Sequence, residues 1–149
     1  MTVQKKATVE SLEALLADSY TLYLKTHSYH WNVVGPMFTT LHTLFETQYT
    51  ELALAVDEIA ERIRALGAPA PGSYSQFMER ANVKEDTGVP SATDMIRNLV
   101  ADMETVANSA RKVVEAGEAE SDDVSVDLGI RRIEVHEKNA WMLGSHLEG

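Results

Sequence analysis

The feature that most constrains the fold is a helical spacing of apolar residues, interrupted at glycines and prolines. From Val9 to Tyr29, apolar and aromatic side chains recur at steps of three, four and seven residues, which is the period of an α-helix. No stretch alternates with the two-residue period of a strand for long enough to form one. The sequence therefore predicts an all-α protein.

Breakers divide this pattern into four long helices. Proline cannot continue a helix and glycine suits the residue after its end, so we expect ends at Gly35-Pro36, Gly67 and Gly117. The predicted helices span about 8–34, 37–66, 91–117 and 121–147, with a short helical turn at 75–80. Four long helices with one longer connection predict a four-helix bundle, in a single domain over residues 1–149.

Capping residues mark two of the helix starts. Ser91 after Pro90 is a predicted N-cap, and Asp122 and Asp123 suit the positive end of the fourth helix.

Composition excludes several classes of protein. The chain has 149 residues, 44% of them hydrophobic and 24% charged, which are ordinary globular values. It has no cysteine, which excludes disulfide scaffolds, thiolate zinc sites, iron–sulfur clusters and cysteine nucleophiles. Without a membrane-length apolar run or a signal-type N-terminus, we expect a soluble cytoplasmic protein. The net charge of −10 repels nucleic acid and anionic lipid and attracts cations.

The second helix carries two pairs of metal-ligand side chains beside its apolar stripe. His42 and Glu46 are four residues apart, as are Asp57 and Glu61, so each pair can converge on one ion. Imidazole with carboxylate suits iron, manganese or zinc rather than calcium. The small residues among these four side chains on the same face, which would let another helix approach closely, are Thr50, Ala53 and Ala60. The apolar stripe consists of Phe38, Leu41, Phe45, Tyr49, Leu52, Val56, Ile59, Ile63 and Leu66.

Distance prevents both pairs from holding the same ion within one helix. Glu46 and Asp57 are 11 residues apart, or about 16 Å along the helix axis. If the same helix of a second subunit lay antiparallel across a two-fold axis, the two pairs would face each other in two equivalent sites. The alternative is that all four are ordinary solvated side chains of an acidic helix.

An intrachain site of the usual bundle type is disfavoured. Such a site needs Glu-x-x-His motifs, and no glutamate stands three residues before any of the five histidines. His27 and His30 form a further pair late in the first helix. His30 is either a ligand or a hydrogen-bonded packing residue.

Several motifs together resemble the Dps miniferritins, the DNA-binding proteins from starved cells. The similar segments are SYHWNVVGPMF (28–38), Leu41-His42 with Glu46, DEIAERI (57–63), Leu66-Gly67 and HEKNAWML (136–143). The resemblance implies a ferritin-like bundle with a short extra helix between the second and third long helices. It further implies a homo-oligomer, a hollow dodecamer.

The resemblance also implies a two-iron ferroxidase centre at each two-fold interface. One subunit would supply His30, His42 and Glu46, and its neighbour Asp57 and Glu61. Trp31 matches the family's tryptophan beside the centre, where it can be oxidised in place of more sensitive targets. Glu46 stands where many members have aspartate, so we expect function with an altered metal position or affinity.

The implied activity is oxidation of Fe(II), preferentially by hydrogen peroxide, with storage of ferric mineral and protection against oxidative stress. The acidic segment 118–127 is either a solvated helix start or, as the resemblance implies, the lining of three-fold iron channels. Asp122 and Asp127 are the main channel candidates and Asp123 a weaker one.

Two other functions compete with this one. A nucleoid protein would compact DNA, but the N-terminal arm offers only Lys5 and Lys6 and the C-terminus has no basic tail. We therefore expect DNA binding to be absent or weak, and any nucleoid association to be slight. A purely structural helical oligomer would perform no metal chemistry.

Overall fold

The computed structural model describes residues 5–148, which form five α-helices and a final 3₁₀ turn. The helices are α1 (Lys6–Asn32), α2 (Phe38–Ala65), α3 (Tyr74–Arg80), α4 (Ala92–Ala119) and α5 (Asp123–Gly144), and the 3₁₀ turn is Ser145–Leu147. No strand occurs within 5–148, so the all-α prediction is confirmed. None of these helices combines the length and the apolarity needed to cross a membrane.

The four long helices pack as a bundle around an apolar interior. Short links make α1–α2 and α4–α5 two hairpins, and α1 also packs against α4. Side chains that are completely buried in this interior include Leu12, Leu22, Phe45, Ile59, Ile63, Leu99, Val106 and Leu143. The short helix α3 lies in the long connection between α2 and α4, as the sequence predicted.

A buried carboxylate fixes the long connection to the bundle. Asp18 on α1 is completely buried. It accepts hydrogen bonds from the backbone N–H of Asn82 (2.5 Å) and Val83 (2.9 Å) and from the Ser109 hydroxyl on α4 (2.5 Å). Because a buried charge is stable only with such partners, Asp18 holds the connection against α1 and α4.

A glycine follows the end of α1 and of α2, as predicted. Gly35 (φ +106°) and Gly67 (φ +96°) adopt the left-handed backbone that favours glycine. The helix α1 ends two residues earlier than expected, at Asn32, because Val33 is already extended.

The prediction that the third long helix ends at Gly117 is wrong. The helix α4 continues to Ala119, and Ser121 (φ +57°) makes the left-handed turn instead. A Cβ on Gly117 would lie 2.8 Å from Cγ2 of Val126. Gly117 therefore serves the close approach of α4 and α5, a role that periodicity alone does not reveal.

The predicted N-cap at Ser91 is confirmed, and Asp122, predicted only to suit the positive end of the fourth helix, also caps it. The Ser91 hydroxyl accepts from the Asp94 N–H at 3.2 Å, and the Asp122 carboxylate accepts from the Ser125 N–H at 3.3 Å. Each side chain satisfies a backbone donor that has no partner inside its helix.

Candidate metal centre

The end of the α1–α2 hairpin brings His30 and His42 together. Their rings stack with centroids 3.8 Å apart and planes inclined by 15°. Nδ1 of His30 lies 2.6 Å from the backbone oxygen of His42, and Nδ1 of His42 lies 2.8 Å from the backbone oxygen of His30. The two residues therefore hold each other through a reciprocal pair of hydrogen bonds.

These hydrogen bonds determine which ring nitrogen can bind a metal. A carbonyl oxygen only accepts, so Nδ1 carries the proton in both rings and Nε2 keeps its lone pair when the ring is neutral. Histidines that bind metals usually have this kind of support on the second nitrogen. In both rings the lone pair of Nε2 is thus the one available to a metal ion.

Glu46 adds a carboxylate to the two imidazoles, so three side chains can offer an atom to one metal ion. Its Oε1 lies 4.0 Å from Nε2 of His30, and one donor atom from each of His30, His42 and Glu46 lies within 4.8 Å of the others. Ligands on one ion at about 2.1 Å would be at most about 4.2 Å apart, so a small movement is needed. The Glu46 side chain can supply it, because it is 59% exposed whereas that of His30 is 8% exposed.

The structure does not bring Asp57 and Glu61 to the histidines of the same chain. Both are exposed side chains further along α2. Within residues 5–148 neither makes a salt bridge or a side-chain hydrogen bond, and the metal-ligand cluster there holds only the other three candidates. The face between the two pairs is open, with Thr50 and Ala53 exposed and Leu54 72% exposed.

Aromatic rings surround the histidines. The His27 ring packs against Trp31 (centroids 4.0 Å) and stacks on Tyr49 (4.1 Å), which also meets His30 edge-on at 5.2 Å. Burial, and next the neighbouring His30 ring, lower the pKa of His27. Trp31 itself is 59% exposed beside the cluster.

Two members of the predicted apolar stripe border the candidate centre. Phe38 is 42% exposed and stacks on His42 with centroids 5.0 Å apart, and Tyr49 packs against His27 and His30. Helical spacing assigned both to the bundle interior. The signal for their second role was that Phe38 stands four residues before His42 on the same helix.

The three aspartates that were channel candidates, at the corner between α4 and α5, differ in exposure. Asp122 is 2% exposed, and its carboxylate binds Arg62 at 2.6 Å and the Ser125 hydroxyl at 2.6 Å. Burial alone would raise the pKa of Asp122, but the hydrogen bonds from Ser125 and the Arg62 guanidinium outweigh it and lower that pKa. An enclosed, fully bonded carboxylate does not fit the predicted channel lining, whereas Asp123 and Asp127 are exposed.

Comparisons with known proteins identify the relatives of this chain. The profile of the family described as Ferritin-like domain matches residues 9–149. A low temperature-induced protein of Nostoc sp. is 44% identical over 148 residues, covering 98% of this chain and 83% of that protein. The DNA protection during starvation protein 2 of Bacillus anthracis is 35% identical over 142 residues, covering 95% of this chain and 97% of that protein.

One solved structure is similar to this chain in both fold and sequence. The Dps protein of Vibrio cholerae O1, described as a member of a broad superfamily of ferritin-like diiron-carboxylate proteins, superimposes with a TM-score of 0.93. It is 30% identical, and the match covers 99% of both chains. The helix order, the position of α3 and these likenesses lead to one conclusion: the chain belongs to the Dps miniferritins of the ferritin-like proteins.

Proposed function

We propose that this protein oxidises Fe(II) and stores the ferric product inside a hollow homo-oligomer, a dodecamer, and so protects the cell from oxidative stress. Iron is the substrate and cargo. The observation that carries the proposal is the reciprocal hydrogen bonding of His30 and His42, which orients both Nε2 atoms as ligands beside Glu46. A structural oligomer without metal chemistry has no need of this arrangement.

The reacting centre is shared between two subunits. His30, His42 and Glu46 of one subunit bind iron together with Asp57 and Glu61 of the partner subunit. Asp57 and Glu61 are exposed and have no side-chain partner among residues 5–148, and this supports the proposal together with the small residues on the open face of α2. A two-fold axis that sets α2 antiparallel to its copy creates two such centres at once.

The donor set suits the reaction. Few nitrogen donors and several carboxylates bind Fe(II) loosely and favour Fe(III), which prefers oxygen ligands. Two ferrous ions at one centre give one electron each to one hydrogen peroxide, which takes up two protons, loses its O–O bond and forms two water molecules without release of a hydroxyl radical. Peroxide is therefore the proposed oxidant, and the exposed Trp31 beside the centre takes up stray oxidation.

Acidic residues guide iron to the centre. The net charge of −10 per chain attracts cations. At the α4–α5 corner, the exposed Asp123 and Asp127 are the proposed channel residues. Asp122 holds the corner in shape through Arg62.

DNA protection in this protein follows from the iron chemistry rather than from DNA binding. The name of the Bacillus anthracis relative refers to DNA protection, and removing iron and peroxide protects DNA without contact. The acidic chain repels phosphate. Lys5, one of two lysines in the N-terminal arm, lies 3.4 Å from the Ser121 backbone oxygen and 3.9 Å from the Asp122 carboxylate. Tight retardation of DNA in gels at moderate salt would contradict this assignment.

Ferric absorbance tests the activity. Fe(II) oxidation is followed with peroxide and separately with dioxygen, in wild type and in a His42→Ala/Asp57→Ala variant. The control, His146→Ala/Asp94→Ala, removes the same residue types outside the cluster of His30, His42 and Glu46. We expect fast peroxide-driven oxidation in wild type and control only. Equal rates in all three proteins would refute the centre.

Mixing single variants tests whether the centre is shared. His42→Ala and Asp57→Ala subunits are each inactive, but a mixed two-fold pair contains one intact centre and one with both defects. Random reassembly should therefore restore about a quarter of the wild-type rate, since about half of the pairs are mixed and each has one good site of two. No recovery in correctly assembled mixtures would mean that each centre lies within one subunit.

A further inference from the structure

A polar cluster lies in the bundle between α2 and α5, apart from the candidate metal centre. Gln48 on α2 is 2% exposed, and Arg132 and His136 on α5 are 4% and 1% exposed. Four of their polar atoms have no hydrogen-bond partner among residues 5–148: both amide atoms of Gln48, Nε of Arg132 and Nδ1 of His136. Buried polar groups rarely lack a partner, so this concentration requires an explanation.

The helix register places these side chains at one level. Arg132 pairs with Glu51, and Arg62 near the end of α2 meets Ser125 near the start of α5, so the two helices are antiparallel. Gln48 lies one turn before Glu51 on α2, and His136 lies one turn after Arg132 on α5. Gln48 and His136 therefore face the same layer of the bundle.

The protonation of His136 follows from its neighbour. Nη2 of Arg132 lies 3.4 Å from Nε2 of His136. A guanidinium only donates, so Nε2 accepts and the ring proton is on Nδ1. Burial, and next the charge of Arg132, lower the pKa of His136 to about 3, so the ring is neutral in the cell.

The donors and acceptors that remain define the occupant. The N–H group of His136 Nδ1 needs an acceptor, while the Gln48 amide offers an acceptor and further donors. The positive charge of Arg132 disfavours a metal cation. Because Glu51 already pairs with Arg132 through two hydrogen bonds, no net charge is left to hold an anion. A small neutral molecule that both accepts and donates satisfies all of these groups.

We propose that Gln48 and His136 enclose a binding site for a water molecule in the interior of the bundle. The water accepts from His136 Nδ1 and donates to Gln48 Oε1, while Arg132 holds the other side of the ring at Nε2. Two surface grooves reach the cluster from opposite sides of α5, one between α4 and α5 lined by His136 and one between α2 and α5 lined by Arg132 and Glu51. The site does not depend on the iron chemistry.

A crystal structure of the full protein, grown with bromide in place of chloride, tests the proposal directly. We expect a density peak at hydrogen-bond distance, about 2.7–3.2 Å, from His136 Nδ1 and the Gln48 amide and without anomalous signal. An anomalous bromide peak there would make the site an anion site. Direct bonding of the Gln48 amide to His136 Nδ1, with no peak between them, would overturn the proposal.

A stability measurement gives a second test. Gln48→Met keeps the side-chain volume but removes the amide, so the water loses a partner and we expect the melting temperature to fall by several degrees. Gln76→Met, which removes an exposed amide, is the control. A rise in the melting temperature of Gln48→Met would mean that the cluster is dry, because replacing an unsatisfied polar group by an apolar one stabilises a core.

Discussion

The histidines at the end of the α1–α2 hairpin and the histidine inside the bundle are held by different partners. His30 and His42 each give the Nδ1 proton to a neutral backbone carbonyl, which leaves Nε2 beside a carboxylate. His136 accepts from a guanidinium at Nε2, so that nitrogen is already occupied. All three rings are at least half-buried, so burial does not distinguish the two proposed ligand histidines from the core histidine.

The chemistry of the partner makes the difference. A carbonyl on one nitrogen increases the basicity of the other, while a neighbouring cation opposes both protonation and metal binding. The acidic open face of α2 therefore favours cation binding by the hairpin histidines, whereas the enclosed Arg132 opposes it at His136. Experiments that remove one partner at a time can break or sharpen this contrast.

Removing an imidazole from the hairpin end should have the largest effect. His30→Ala takes away one of the two nitrogen donors and is expected to slow peroxide-driven Fe(II) oxidation by about 100-fold or more. His146→Ala, which also removes a half-buried histidine, should leave the rate unchanged. Stopped-flow absorbance measures both. A His30→Ala variant that is as fast as wild type would show that reciprocal hydrogen bonding does not mark the centre.

Acid should reveal the neutral state of His136. The unfolded chain binds a proton at the ordinary pKa of 6.5, whereas the folded chain does so only near 3. The contribution of the neutral His136 ring to the free energy of unfolding is therefore fully present above about pH 6.5. It falls by up to about 1.4 kcal/mol per pH unit as the pH drops toward 3. Denaturant unfolding of wild type and His136→Gln, from neutral to about pH 4, measures this term.

The difference between the two proteins isolates His136. The other titratable groups that face it stay in both, namely Glu51 on α2, Glu104 and Arg111 on α4, and Arg132 and Glu137 on α5. We expect the His136→Gln protein to lose less stability over this range. Parallel curves would mean that His136 takes up a proton as readily in the folded protein as in the unfolded chain, and the contrast with the hairpin histidines would fail.

Periodicity and breakers predicted the helices but only part of the site. Four long helices, the short α3 and the pairing of His42 with Glu46 depend on local spacing, which the sequence contains. The bond from His30 to the backbone of His42 depends on how two antiparallel helices meet, and no local pattern encodes it. For the same reason the burial of Asp122 beside Arg62 was missed, because Arg62 is 60 residues away along the chain.

Glycines illustrate the same limit. Gly67 and Gly117 look alike in sequence, each after a long helical pattern, yet only Gly67 ends its helix. Gly117 is a contact between helices, and contacts between helices depend on the fold as a whole. Whether Asp57 and Glu61 meet a partner's histidines depends on assembly, one level further from the sequence.

Oxidative damage during turnover should distinguish the two tryptophans. Trp31 and Trp141 are similarly exposed, at 59% and 69%, but only Trp31 lies beside the histidine cluster. After peroxide-driven iron oxidation, peptide mass spectrometry should find hydroxylated products mainly at Trp31. Equal modification of both would mean that oxidation occurs in bulk solvent. Peroxide without iron is the control and should modify neither preferentially.

Shortening the ligand at position 46 should have the smallest effect. Glu46→Asp keeps the charge but withdraws the carboxylate by about one methylene from Nε2 of His30, 4.0 Å away in the wild type. Because the side chain is exposed and adaptable, we expect the affinity for Zn(II), a redox-inert probe, to change by less than about 10-fold. Glu46→Gln keeps the length and loses the charge, so it should weaken binding more. Calorimetric titration of both variants separates length from charge. If aspartate weakened binding more than glutamine did, the length of the Glu46 side chain rather than its charge would position the metal. The exposed carboxylate of the centre would then be held as rigidly as its two histidines.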